Sequence, residues 1–141
     1  MRKYDWGLIL VMSIPGPVMG VLTLYGIVPF GSERWFWLGI SIVAAVTVAR
    51  RVDDAAFGHG ALVGLLLGIS SKLIQAIWAG TYAAHNPVLL AKLSGPVDSV
   101  QFQYRMLMLV PFVGIANAIL VGLMSHFTYR ARPRVQNRRD G

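Results

Sequence analysis

Apolar residues run along this chain in long, nearly charge-free blocks rather than in two-residue alternation. Gly7 to Phe30 is the first block, ended by Gly31-Ser32-Glu33-Arg34. Trp35 to Ala49 is the second, closed by Arg50-Arg51; Gly60 to Ala84 is the third, interrupted only by Lys72. Met106 to Phe127 is the fourth, ahead of an arginine-rich tail. A helix crossing a hydrocarbon core of about 30 Å needs about 20 apolar residues. Three blocks meet that length. The second is short, but snorkelling arginines at its ends lengthen it, because their stems stay apolar while their heads reach water. The pattern predicts an all-α membrane protein, four transmembrane helices in an up-down bundle with spans at about 7–30, 32–49, 60–84 and 106–127. Together, residues 1–129 form the transmembrane domain, and 130–141 a basic cytoplasmic tail expected to be disordered. A membrane barrel would show strand alternation and regular turns, which are absent from the sequence.

Composition sharpens this. Of the 141 residues, 55% are hydrophobic and 13% charged. Soluble domains carry about 25% charged residues, so a soluble enzyme is excluded. Cysteine is absent, which removes thiolate metal sites, disulfides and a cysteine nucleophile. Of 13 lysines and arginines, Arg2, Lys3, Arg50, Arg51 and the five arginines from Arg130 to Arg139 fall on one side of the predicted bundle. Only Arg34, Lys92 and Arg105 fall on the other. By the positive-inside bias both termini are cytoplasmic and the protein is a multi-pass inner-membrane protein. Aromatics follow the same map: Tyr4, Trp6 and Tyr129 inside, and Trp35, Trp37, Trp78, Tyr82 and Tyr104 outside. The first block is too long for a signal-peptide core and no small-x-small site follows it, so it reads as an uncleaved span.

The connecting segments read as structural. Asp53 or Asp54 is placed to cap the third helix; adjacent carboxylates point apart on a helix, so no metal site is expected. Asn86-Pro87 reads as an N-cap and first helical residue, opening a short apolar turn over Val88 to Leu93 that Ser94-Gly95-Pro96 ends. The tail arginines Arg130, Arg132 and Arg134 suit anionic lipid headgroups. With no aromatic platform between them, nucleic acid is not an expected partner.

Candidate chemistry concentrates in the third and fourth blocks. Gly60, Gly64 and Gly68 recur every four residues, and Gly114, Ala118 and Gly122 repeat the pattern. Such rows let helix backbones approach closely. Ser71, Lys72 and Gln75 share the glycine face, whereas Leu62, Leu66, Ile69, Leu73, Ile74 and Ile77 collect opposite. At about 1.5 Å per residue, Lys72 lies about 18 Å above Gly60 and Asn117 about 15 Å above Phe127. The sequence therefore predicts a buried polar cluster of Lys72, Gln75, Ser71 and Asn117 near mid-membrane. A lysine there is costly, and no Asp or Glu lies inside any block to neutralise it. It is left neutral, hydrated in a cavity, or paired with a partner's carboxylate or an anion. Pro15 and Pro17 predict a kink in the first helix, with Gly16 and Gly20 beside it; Pro111 falls in the first turns of the fourth block.

A haem between His59 and His126 would need a cofactor-sized cavity, which close small-residue packing opposes, so no cofactor is expected. Neither is enzymatic activity, since no nucleophile–base pair, carboxylate pair or phosphate loop is present. The stretch Arg50-Arg51, then Ala56-Phe57-Gly58-His59-Gly60, then a glycine-rich run to Tyr82-x-x-x-Asn86-Pro87 resembles small bacterial inner-membrane proteins with four helices and no assigned function. That resemblance implies the four-helix fold and transfers no functional residue. The expected role is a non-enzymatic subunit or homo-oligomeric component of a membrane assembly. The alternative is a small oligomeric transporter or channel using Lys72 for a proton or anion, with a membrane enzyme or haem protein behind both.

Overall fold

The computed structural model describes residues 4–92 and 98–132, and every regular element among them is a helix. In chain order these are α1 (Trp6–Ser13), α2 (Pro15–Leu24), α3 (Glu33–Arg51), α4 (Ala56–Ile77), α5 (Ala79–His85), α6 (Pro87–Lys92) and α7 (Ser99–Arg130). Three of the resulting rods are long and apolar enough to cross a membrane: α1 with α2, α4, and α7. α3 has 19 residues, but Glu33, Arg34, Arg50 and Arg51 occupy both of its ends.

The first block is shorter than its apolar run suggests. Asp5 caps α1 by accepting the Leu8 N–H at 3.0 Å, and helix stops at Leu24. Gly26 then takes φ +68°, and a Cβ there would lie 2.6 Å from the His85 carbonyl oxygen. Only glycine fits a left-handed backbone pressed against another chain segment. The prolines produce a junction, not a break. Ile14 keeps helical angles of φ −53° and ψ −40°. Pro15 would normally bond the carbonyl of Val11 if it had an N–H; that carbonyl instead takes the Ile14 N–H at 3.3 Å.

α4 is the hub. It packs on α7, α2, α1 and α3, and its contact with α7 is the most extensive in the molecule. The glycine rows explain the closeness. A Cβ on Gly60 would lie 2.8 Å from the Val121 carbonyl oxygen. One on Gly64 would lie 3.0 Å from the Ala118 Cα, and one on Gly68 2.9 Å from the Val113 carbonyl oxygen. Each step of four up α4 thus matches a step of four down α7. Gly114 receives the Ile69 side chain and Gly122 the Phe57 ring. A second seam joins α4 to α2, where Gly16 sits on Leu67 and Gly20 on Ser71 and Ile74. The bulky face opposite the glycines serves mostly for packing: Ile69 and Ile74 are spent on helix contacts, and Leu62 and Leu66 pack on the core. Leu73 and Ile77 remain exposed.

Several expectations about the ends of the elements need correction. α4 begins at Ala56, a turn before Gly60, because Ala55 turns left-handed at φ 49° and serves as N-cap without a side-chain bond. Neither Asp53 nor Asp54 caps it; the Asp53 carbonyl accepts the Tyr129 hydroxyl. The third block is broken at Trp78 (φ −105°, ψ 42°) into α4 and α5. α7 starts at Ser99, capped by Asp98, whose carboxylate accepts the Val100 N–H at 3.1 Å. Pro111 is consequently interior to α7. Tyr82, expected at the interface, is 2% exposed and lies in the core with Leu24, Ala76 and Phe102.

Candidate functional site

The polar residues of α4 form a hydrogen-bonded chain leading to α2. Lys72 Nζ donates to Gln75 Oε1 at 2.8 Å. Gln75 Nε2 donates to Thr23 Oγ1 at 2.6 Å. The Thr23 hydroxyl in turn reaches the Met19 carbonyl at 2.8 Å, one turn back on its own helix. Gln75 is fully buried, so an unpaired amide there would cost about 1–3 kcal/mol. Thr23 removes that cost on one side and Lys72 on the other.

Asn86 extends the chain to α5 in an unexpected sense. It is buried, and its Nδ2 donates to the Tyr82 carbonyl at 2.8 Å and the Thr23 carbonyl at 3.0 Å. It therefore closes the C-terminus of α5 and ties it to α2, while its backbone carbonyl accepts the Leu89 N–H at 3.0 Å at the start of α6. The Ser94-Gly95-Pro96 stop expected after α6 lies outside the described residues.

The four residues expected to cluster do not share one environment. Lys72 and Gln75 are bonded. Ser71 is buried in the α2–α4 seam, with its Cα under Gly20. Asn117 is level with Gly64 and Gly68, its amide nitrogen against Gly68. Extending that register places Lys72 level with Val110, about 10 Å from the height of Asn117 at about 1.5 Å per residue. Lys72 is also not central. It stands about 24 Å above Ala56 and about 8 Å below Ile77, nearer the end that carries α5 and the α2–α3 turn.

What Lys72 and Asn117 share is a cavity. A space of about 490 Å³ opens between α3, α4 and α7, and its wall includes Glu33, Arg34, Lys72 and Asn117. Trp35, Trp37, Leu38, Val113 and Leu120 make up the rest. No carboxylate lies inside an apolar block, but α3 brings one from outside it: Glu33, in the first helical turn, lines the same space as Lys72. Arg34, beside it, stacks its guanidinium 5.6 Å from the Trp35 ring centre.

The remaining singled-out groups have structural duties. His59 is buried; its Nε2 accepts the Asp5 N–H at 3.0 Å and its Nδ1 lies 3.1 Å from the Ala55 carbonyl. Nε2 thus ties the start of α1 to α4, and Nδ1 braces the first turn of α4 on its own N-cap residue. Arg130 ends α7, and Arg132 lies over the Tyr129 ring at 5.4 Å. Arg134 and the rest of the tail lie outside the described residues. Among the described residues no group of three His, Asp or Glu could hold a metal ion. Comparison with known protein families, characterised proteins and solved structures finds no match to this chain.

Proposed function

We propose that the chain is a four-span protein of the bacterial inner membrane, both termini cytoplasmic, serving without catalysis as a subunit or homo-oligomeric component of a membrane assembly. The observation that carries this is the outer face of α7. Met108, Phe112, Ile115, Ile119, Leu123 and Phe127 are all exposed, and their spacing of three and four residues puts them on one side of the helix. An apolar stripe of that length needs hydrocarbon or another apolar helix against it. α3 completes the bundle as the fourth span: its terminal charges sit at headgroup depth while Trp35 to Ala49 crosses. The non-catalytic reading rests on how the buried polar groups are used. Gln75, Asn86 and His59 are each engaged in bonds that join helices or helix ends. Anionic lipid headgroups contact the basic cytoplasmic end.

The test has two arms. Membranes washed in alkaline carbonate retain the protein, and intact-complex mass measurement after mild-detergent purification finds more than one polypeptide per particle. A strictly monomeric particle would remove the assembly role while leaving the membrane assignment standing.

The cavity favours a second reading, a small oligomeric transporter or channel in which Lys72 handles a proton or anion. Purified protein in liposomes would then support an ion flux that Lys72→Met abolishes. Equal flux in both would dismiss it.

A further inference from the structure

The cavity between α3, α4 and α7 has three features that a packing defect lacks. First, it is large: about 490 Å³, within the range of about 300–1,000 Å³ that small-molecule sites occupy. Second, its charge is unbalanced. Arg34 and Lys72 oppose the carboxylate of Glu33, so with Lys72 protonated the wall's formal charge is positive by one. The Lys72 ammonium has three protons to donate, and Gln75 takes one. Third, polarity is graded along its length. Glu33 and Arg34 stand in the first turn of α3, at the level of the outer helix ends, and Lys72 lies a turn or two below. Leu38, Val113 and Leu120 continue the wall toward the bundle centre, with Asn117 as the deep polar group.

We infer that this cavity binds an amphipathic monoanion, its acidic head held by Lys72 and Arg34 and its apolar body lying along Leu38, Val113 and Leu120. The inference rests on the membrane reading above. One negative charge neutralises the wall. The ammonium protons left over by Gln75 are directed donors for a carboxylate or phosphodiester, and charge-assisted bonds of this kind are about twice as strong as neutral ones. Glu33 disfavours a dianion, which would meet like charge at the mouth. An inorganic anion would leave the apolar walls of Trp37, Leu38 and Val113 without a partner. The shared chemistry is a single acidic head on a hydrocarbon body, met both in single-chain carboxylates and in monoanionic phospholipids.

Trp35 and Trp37 line the cavity and serve as reporters. The protein is reconstituted in phosphatidylcholine nanodiscs with Trp6→Phe and Trp78→Phe, and 12-bromododecanoate is titrated while tryptophan quenching is read. Quenching is expected to saturate, and to do so at lower concentration than with 12-bromododecan-1-ol. Lys72→Met should weaken the carboxylate by about 10- to 100-fold, Lys72→Arg should largely restore it, and Arg34→Gln should weaken it less. Unsaturable quenching, equal affinity for acid and alcohol, or full affinity in both Lys72→Met and Arg34→Gln would overturn the inference. Displacement of the probe by phosphatidylglycerol assigns the head to a bilayer lipid. Persistence of the probe assigns it to a single-chain acid, and either result upholds the binding chemistry. Retention of each variant in carbonate-washed membranes separates failure of the site from failure of the membrane reading.

Discussion

At Gly64 the backbone of α7 comes close enough that a Cβ would stand 3.0 Å from the Ala118 Cα. Rigid backbone cannot give way as a side-chain tip can. Gly64→Leu is therefore expected to lower stability by at least about 1–3 kcal/mol, the usual cost of overpacking, measured by reversible denaturation in mixed micelles. Gly39 is the control, because a Cβ there meets nothing within 4 Å. Gly39→Ala should cost nothing and gain up to about 1 kcal/mol from helix propensity. Asn86→Ala should cost about 1–3 kcal/mol, since it removes the side-chain donor from the Tyr82 carbonyl and one of two bonds from the Thr23 carbonyl, which also accepts the Gly26 N–H. At this scale the sequence was readable only within a helix. Lys72 and Gln75 are three residues apart on one face, and their pairing follows from helical geometry. Thr23, which completes the chain, is 52 residues from Gln75, and nothing local marks it. Asn86 was visible as a helix-boundary residue, but its side chain works as donor to two carbonyls, a role set by α2 and beyond any local pattern.

Among the elements, the register of α4 against α7 makes the sharpest claim. Ile69 lies against Gly114, whereas Lys72 and Asn117 differ by about 10 Å in height at about 1.5 Å per residue. The chain has no native cysteine, so introduced pairs report cleanly. Ile69→Cys with Gly114→Cys should form a disulfide under mild oxidation. Lys72→Cys with Asn117→Cys should not, because bridged Cα atoms must lie within about 7 Å. The reverse outcome would shift α7 by two turns and dissolve the cavity as described. Hydrophobic runs located the rods but not their ends, since composition and conformation part company there. Ser99 to Arg105 is too polar for a hydrocarbon span yet continues α7, because Asp98 supplies the cap and tertiary contact does the rest. Trp78-Ala79-Gly80 is apolar and contains no proline, so the break between α4 and α5 left no mark in the pattern. Pro111 counts as a first-turn proline only for a helix that starts at Met106, whereas α7 starts at Ser99.

For the whole molecule, orientation is a property set by the placement of lysines and arginines, with the aromatics on the same map. Alkaline phosphatase fused after Ser32 should be active and after Val52 inactive, with a fluorescent protein at the C-terminus folding in the cytoplasm. The opposite pattern would invert the molecule and put the cavity mouth inside the cell. The glycine rows were legible in the sequence because their period is that of the helix. The central position of α4 was not, since it depends on Gly16 and Gly20 of a distant segment offering α4 a second close surface. One dimension then has a bearing on where such a protein can reside. At 32 residues and about 1.5 Å per residue, α7 is about 48 Å long, against a hydrocarbon layer of about 30 Å. Only the stretch from Met106 to Phe127, about 33 Å at about 1.5 Å per residue, is apolar enough to lie in that layer, so the polar turns from Ser99 to Arg105 stand proud of it. Each ångström by which the layer falls short of that stretch carries a small energetic penalty, so the protein is expected to melt at a lower temperature in short-chain lipid than in lipid of ordinary chain length.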